Sequence, residues 1–326
     1  MLRYIFKRLL IAGVTLWGIS LVTFVFVNLA PGDPAEYQAG NVMGGEVSPG
    51  AYRELREYYG LDEPMPVRYG RWVGRLVRLD FGESMAAGRR PVMDKIGERI
   101  WPTMSVALLA LVLGLAVSIP VGIYAAVRRD GWFDVVSGGL LYALYSVPGY
   151  VMAVPLILVV GVKWDLLPFQ GMVSDNYNEL SGMGQLVDVF RHYVLITFCF
   201  GYGAMAYYCR FVRQNMLEVL GEDYVRTARA KGMSEFGVVV RHAFGNTLIP
   251  LMTLMGMLLP SVIGGSIILE VMFNWPGMGR LFFESMLARD YPTIMALSFI
   301  TAVLVLMGNL LADLSYAVVD PRVRYG

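Results

Sequence analysis

Residues Thr103–Val127 read TMSVALLALVLGLAVSIPVGIYAAV, and no Asp, Glu, Lys or Arg interrupts the chain between Arg99 and Arg128. A helix needs about 20 apolar residues to cross a hydrocarbon layer roughly 30 Å thick, and this stretch meets that requirement. Working outward, five more uncharged stretches pass the same test: Leu9–Ala30, Val135–Val162, Tyr193–Cys209, Thr247–Leu269 and Pro292–Leu311. The chain of 326 residues is 56% hydrophobic and 16% charged, with a mean hydropathy of +0.54. A soluble domain carries about a quarter charged residues, so the apolar surplus asks for lipid as its solvent. The pattern predicts an all-α polytopic membrane protein with six transmembrane helices. The fourth stretch is the weakest, short and rich in Gly and aromatics. The third carries Pro148, Gly149 and Pro155, which predict a kink where backbone hydrogen bonds are lost.

Short loops set the orientation, because Lys and Arg accumulate on the cytoplasmic side. Arg3, Lys7 and Arg8 precede the first stretch, and Arg128 and Arg129 separate the second from the third. Arg210, Arg213, Arg226, Arg229, Lys231 and Arg241 lie between the fourth and fifth, and Arg322 and Arg324 follow the sixth. All fall on one side of a six-span topology, so both termini are expected in the cytoplasm. The division that follows is an N-terminal transmembrane helix (1–30), an extracytoplasmic loop region (31–100) and a five-helix core (101–326) with a cytoplasmic loop at about 217–245. Within the outer region, Ala51–Gly60 reads as a short helix ended by its glycine. The first apolar run exceeds the 7–15 residues of a signal-peptide core, and Asn28-Leu29-Ala30 is a poor cleavage site. It is therefore expected to stay as a helix.

Several function classes lose support. Ion-coupled carriers usually bury ionisable residues in their spans to hold the coupling ion. Here Glu270 and Asp313 sit only at span ends. There is no channel-filter signature, and no GxxxxGK[ST] loop to cradle a nucleotide. His192 and His242 stand singly, and Cys199 and Cys209 read as small apolar residues, so no metal centre or nucleophile–base pair emerges. A net charge of +1 gives no electrostatic case for nucleic acid. The chain reads as a non-enzymatic pathway that takes its energy from elsewhere.

The loop between the fourth and fifth stretches is where that energy could enter. Leu217–Phe244 reads as two helical pieces, Glu218–Lys231 and Ser234–Phe244, hinged at Gly232. Arg226, Arg229 and Lys231 alternate with the small residues Thr227, Ala228 and Ala230. Small side chains let a partner approach closely, and a glycine permits the turn. An ordinary solvated basic loop has the same composition, and the pattern alone leaves both readings open.

Specific blocks narrow the choice. Glu222-Asp223-Tyr224-Val225-Arg226-Thr227-Ala228-Arg229-Ala230-Lys231-Gly232, followed by Arg241-His242-Ala243 and Asn246 through Pro250, resembles the loop motif of binding-protein-dependent ABC importer permeases, in the branch that imports peptides and nickel. Other blocks agree in order along the whole chain. They are Ala30-Pro31-Gly32-Asp33-Pro34, Tyr59-Gly60-Leu61-Asp62-Glu63-Pro64, Phe273-Asn274-Trp275-Pro276-Gly277-Met278-Gly279-Arg280, Arg289-Asp290-Tyr291-Pro292 and Asp320-Pro321-Arg322. Two positions depart from the wider pattern. Arg226 stands where most importer permeases have Glu, as is usual in the peptide branch, and Phe244-Gly245 replaces a more typical Leu-Arg.

The resemblance implies a type I importer fold in a bacterial or archaeal inner membrane. It implies a second, homologous permease, two ATPase subunits and an extracytoplasmic substrate-binding protein as partners. ATP and Mg would be bound by the ATPases, with no cofactor in this chain. Carried over by position, Tyr224, Arg226, Thr227, Ala228, Ala230 and Gly232 would dock in the ATPase. Polarity within the spans suggests Ser118, Ser146, Ser261, Ser266, Asn309 and Asn28 as pathway lining, although for any single one a helix–helix hydrogen bond is the stronger reading. The outer segments Pro31–Arg99 and Phe273–Asp290 would receive the binding protein, or else pack on themselves around Trp72, Phe81 and Trp275. Peptides are the expected cargo. Nickel chelates, oligosaccharides or opines are alternatives within the family, and an ion-coupled carrier or a receptor-like protein lies outside it.

Overall fold

The computed structural model describes residues 2–36, 38, 49–86, 88–248, 250–251, 254 and 265–319. In chain order its helices are α1 (Leu2–Leu29), α2 (Pro49–Tyr58), α3 (Met65–Leu76), α4 (Val92–Val127), α5 (Trp132–Ser146), α6 (Gly149–Leu156), α7 (Gly182–Leu220), α8 (Asp223–Ala230), α9 (Glu235–Gly237), α10 (Ile267–Met272), α11 (Met278–Leu287) and α12 (Tyr291–Val319). Helices α6 and α9 run on into wider π-helical turns, Ile157–Lys163 and Val238–Phe244. Among the described residues there is no β-strand, only a bridge between Glu83 and Pro91.

Among the described residues, three helical segments are long and apolar enough to cross a membrane: Phe6–Leu29, Val92–Val127 and Tyr291–Leu310. A fourth candidate is broken. Trp132–Ser146 and Gly149–Lys163 meet at 96°, a sharper break than the kink expected within Val135–Val162. Its cause is local. Val147 precedes a proline and is pushed to extended backbone (φ −98°, ψ 122°), which a helix cannot continue through. The stretch Tyr193–Cys209 lies inside the longer α7, whose ends are polar. Much of Thr247–Leu269, including Ser261, falls outside the described residues.

Two compact units emerge. The N-terminal unit takes the chain up to Thr103 and Pro276–Leu306. One of its cores joins Leu76, Phe81, Val92 and Ile96 to Met278, Leu281, Ala296 and Leu297. A second gathers Phe24, Val27, Met85, Tyr291 and Met295, with Trp72 and Tyr69 packed on it. The described part of 31–91 is thus built largely of short helices. Helix α2 begins at Pro49 and closes at Gly60 (φ +63°), where Gly60 N–H donates to Glu57 O (3.0 Å) and Leu61 N–H to Arg56 O (2.9 Å). That double bond is a Schellman cap, which needs the left-handed conformation glycine adopts freely.

The other unit comprises Met104–Trp275 with the last helix from Met307 on. One core packs Val106, Ala153, Leu195, Ile196, Cys199 and Leu269 with Phe273 and Trp275, and the Tyr193 ring meets Trp275 edge to face at 4.7 Å. Another packs Leu115, Ala126, Tyr208, Val212 and Met216 with Val239, Ala243 and Leu251. The broken segment is held against α7 by a hydrogen bond, Tyr202 Oη donating to Val147 O, and by a close backbone approach at Gly149, where a Cβ would be 2.7 Å from Cys199 O.

Candidate coupling surface

Helix α7 stops at Leu220 because Glu222 turns extended (φ −71°, ψ 147°), so the first loop helix starts at Asp223, five residues later than the sequence suggests. Within α8, Val225 and Ala228 point inward and pack on Val238, Val219 and Leu220. Spacing of three residues defines this anchoring face. Arg226, Thr227 and Ala230 lie on the far side of the helix and Tyr224 flanks the anchoring residues, all four exposed. Thr227 Oγ1 bonds back to Asp223 O at 2.9 Å, which turns its methyl rather than its hydroxyl to the surroundings.

Gly232 ends the helix by the same device as Gly60. Its N–H donates to Arg229 O (3.0 Å), Met233 N–H reaches Ala228 O (3.4 Å), and φ is +78°. Ser234 then caps the next turn, accepting from Gly237 N–H at 3.3 Å. Arg229 bridges the two pieces through both Glu235 carboxylate oxygens at 2.7 and 3.2 Å. The guanidinium holds the Glu235 carboxyl below the usual carboxylate range. Val239 and Ala243 of the following π-helical turns are buried among Met216, Tyr208 and Leu251, which fixes the loop to α7.

The expected basic stripe is therefore divided. Arg229 is spent on Glu235, and Arg226 makes only a long contact with Asp223 at 3.4 Å while 72% of its side chain stays exposed. Of the six positions picked from sequence, Tyr224, Arg226, Thr227 and Ala230 are exposed, whereas Ala228 is buried as an anchor and Gly232 acts as a cap. Two apolar side chains went unpicked. Phe236 is 79% exposed and Met233 is 37% exposed. Both are large apolar residues within four positions of the glycine cap in an otherwise polar loop, which is the signal the sequence offered.

The polar span residues do not converge. Ser118 is buried and donates to Met205 O at 2.8 Å, a helix–helix bond. Ser146 is exposed and bonds to Tyr142 O in its own helix at 2.9 Å. Asn28 donates to Phe24 O at 2.8 Å and accepts from Arg68. Asn309 is exposed, and Ser261 lies outside the described residues. Ser266 caps α10, accepting from Leu269 N–H at 3.4 Å, and it also lines a cavity of about 340 Å³ with Ala107, Ala110, Gly149, Gly201 and Tyr208. Glu270, expected at a span end, is fully buried.

Comparison with known proteins places the chain. Residues 118–325 match the family described as "Binding-protein-dependent transport system inner membrane component", and residues 1–107 match its N-terminal counterpart. The oligopeptide transport system permease protein AppB of Bacillus subtilis is 38% identical over all of both chains. The dipeptide permease DppB of Escherichia coli is 37% identical over all of this chain and 99% of its own, and the glutathione permease GsiC of Escherichia coli is 37% identical over all of both. A chain of the solved MetNI methionine ABC transporter, inward facing, superposes with a TM-score of 0.55 at 17% identity, covering 70% of this chain and 97% of that one. At that identity the likeness concerns fold. Full-length similarity and a matching fold agree with the exposed, self-packed loop: this chain belongs to the binding-protein-dependent transport system inner membrane components and is a permease subunit of an ABC importer.

Proposed function

We propose that the chain carries small peptides inward as one of two permeases in an ATP-driven importer. Six spans would place both termini in the cytoplasm, with α8 facing an ATPase. Tyr224, Arg226, Thr227 and Ala230 would enter the ATPase groove together with Phe236 and Met233, while Ala228 and Gly232 hold the loop in shape. The observation that carries this reading is the loop itself: its inner face is buried on Val238 while an aromatic, a methyl and a small side chain around it stay uncovered. Closure of two ATPases around ATP and Mg would draw such loops together and move the attached α7 as a rigid body. The cargo assignment is supported by the oligopeptide, dipeptide and glutathione relatives, which match over the full length.

The test is ATP hydrolysis by the complex that copurifies with this subunit, with and without peptide-loaded binding protein. Stimulation by loaded binding protein, lost in Ala230→Trp or Phe236→Ala while the complex still assembles, is the expected result. Copurification without any ATPase, together with uptake that collapses with an ionophore while ATP remains, would refute it and favour an ion-coupled carrier. Stimulation only by a nickel chelate or an oligosaccharide would keep the importer and replace the cargo.

A further inference from the structure

Two of the membrane-crossing segments, Phe6–Leu29 and Tyr291–Leu310, come together at the ends marked by Leu29 and Tyr291, and a groove of about 410 Å³ opens between them in the N-terminal unit. Its walls are apolar: Phe26 and Val27 of α1, Phe282 and Met286 of α11, and Ile294 of α12, with Thr23 further along α1. Val27 and Ile294 are buried, while Phe26 and Met286 are exposed. Among the described residues a single charged side chain lines this groove, that of Arg289, and no carboxylate does.

Local geometry sets Arg289 in place. Its backbone is left-handed (φ +52°), just past the end of α11. The guanidinium lies against Gly32, where a Cβ would collide with it, and Gly32 is itself left-handed (φ +101°). Tyr291 Oη donates to Gly32 O at 3.3 Å, tying that turn to the start of α12. Arg289 is half-buried, yet its guanidinium has no hydrogen-bond or ion partner among the described residues. The acids nearest in sequence are engaged elsewhere. Asp290 accepts from Ser84, Lys95 and Thr293, Asp33 from Tyr52 and Arg56, and Glu284 from Arg280. A half-covered cation without a counter-ion is unfavourable, and the counter-ion has to come from outside these residues.

Position and charge decide what supplies it. Arginines at the ends of membrane helices sit at the level of the lipid headgroups. A dissolved anion would pair with the guanidinium and leave the groove unfilled, whereas a hydrocarbon alone would fill the groove and leave the cation unpaired. A phospholipid meets both demands, because a guanidinium matches a phosphate bidentately and an acyl chain suits apolar walls. With no carboxylate on the lining, the ammonium of a zwitterionic headgroup would find no partner. We propose that this groove binds one anionic phospholipid, its phosphate on Arg289 and an acyl chain between α1, α11 and α12. The bound lipid fills the seam beside α1 and stabilises the N-terminal unit by linkage.

The experiment takes the whole importer, purified with its partner subunits and stripped of lipid in detergent, and titrates phosphatidylglycerol by native mass spectrometry. Expected is one phosphatidylglycerol held more tightly than the rest, with phosphatidylethanolamine about tenfold weaker and Arg289→Gln weakening that lipid about tenfold. Arg289→Lys should restore part of the affinity. Arg78→Gln removes an exposed arginine outside the groove and should change nothing. Thr23→Trp, which fills the groove and keeps the cation, should displace the lipid. Melting temperatures without lipid reveal any variant that has merely lost its fold, and if Arg289→Gln fails to assemble, Thr23→Trp carries the test. Absence of a tight phosphatidylglycerol, equal affinity for phosphatidylethanolamine, or a tight lipid untouched by both Arg289→Gln and Thr23→Trp would overturn the proposal. A groove covered by the second permease or by residues 39–48 predicts the first of these results. Inorganic phosphate that raises the melting temperature as much as phosphatidylglycerol does would also overturn it, by showing an anion site without a lipid.

Discussion

Gly232 and Gly149 carry opposite demands. At Gly232 the backbone is left-handed, but a Cβ would meet nothing within 4 Å, so the only cost of alanine is conformational, about 1 kcal/mol. At Gly149 the backbone is ordinary, and a Cβ would lie 2.7 Å from Cys199 O, a backbone atom that cannot swing aside. Gly232→Ala should therefore still assemble and fold, with binding-protein-stimulated ATP hydrolysis reduced because the cap that aims Met233 and Phe236 is loosened. Gly149→Ala should instead lower the folded yield, read by size-exclusion chromatography in detergent. Equal effects of the two on folding would contradict this division. Sequence reading found Gly232 as a turn and could not have separated the two cases, because a close approach is made by a residue 50 positions away.

Between elements, α5 is fastened to α7 by one ion pair. Asp134 receives Arg213 Nε and Nη2, both at 2.6 Å, and also accepts the Asp130 N–H at 3.0 Å. Asp134→Asn should cost about 2 kcal/mol by leaving the Arg213 guanidinium without its carboxylate, measured as a lower melting temperature. An unchanged melting temperature would show that the pair does not hold α5 to α7. The break between α5 and α6 belongs to the same scale. Pro148 announced a kink, and the chain delivered a 96° turn because Tyr202 and the close packing of Gly149 stabilise the extended Val147–Pro148 step.

Across the whole molecule, Asp290 ties together residues far apart in sequence. It is fully buried and accepts from Ser84 Oγ (2.5 Å), Met85 N–H (2.8 Å), Lys95 Nζ (2.9 Å) and Thr293 Oγ1 (2.6 Å). Removing its charge would strand Lys95 beside a neutral amide. Asp290→Asn should therefore destabilise the N-terminal unit by about 3 kcal/mol, seen as faster hydrogen exchange over residues 84–96. Exchange rates equal to the wild type would show that the hub is dispensable. The Arg289-Asp290-Tyr291-Pro292 block was legible as a motif, but nothing local marked Asp290 as the acceptor for a loop 206 residues earlier. By itself the amino-acid sequence determined the solvent of this protein, the apolar stretches, the helix stops at Gly60 and Gly232, and the family, because hydropathy, caps and ordered motifs are properties of neighbouring residues. Only the tertiary structure decided which loop residues face outward, that Ser118 serves a helix–helix bond, and that Ala228 is an anchor. Burial and pairing are set by partners that the chain brings together across long separations, and no local pattern encodes them.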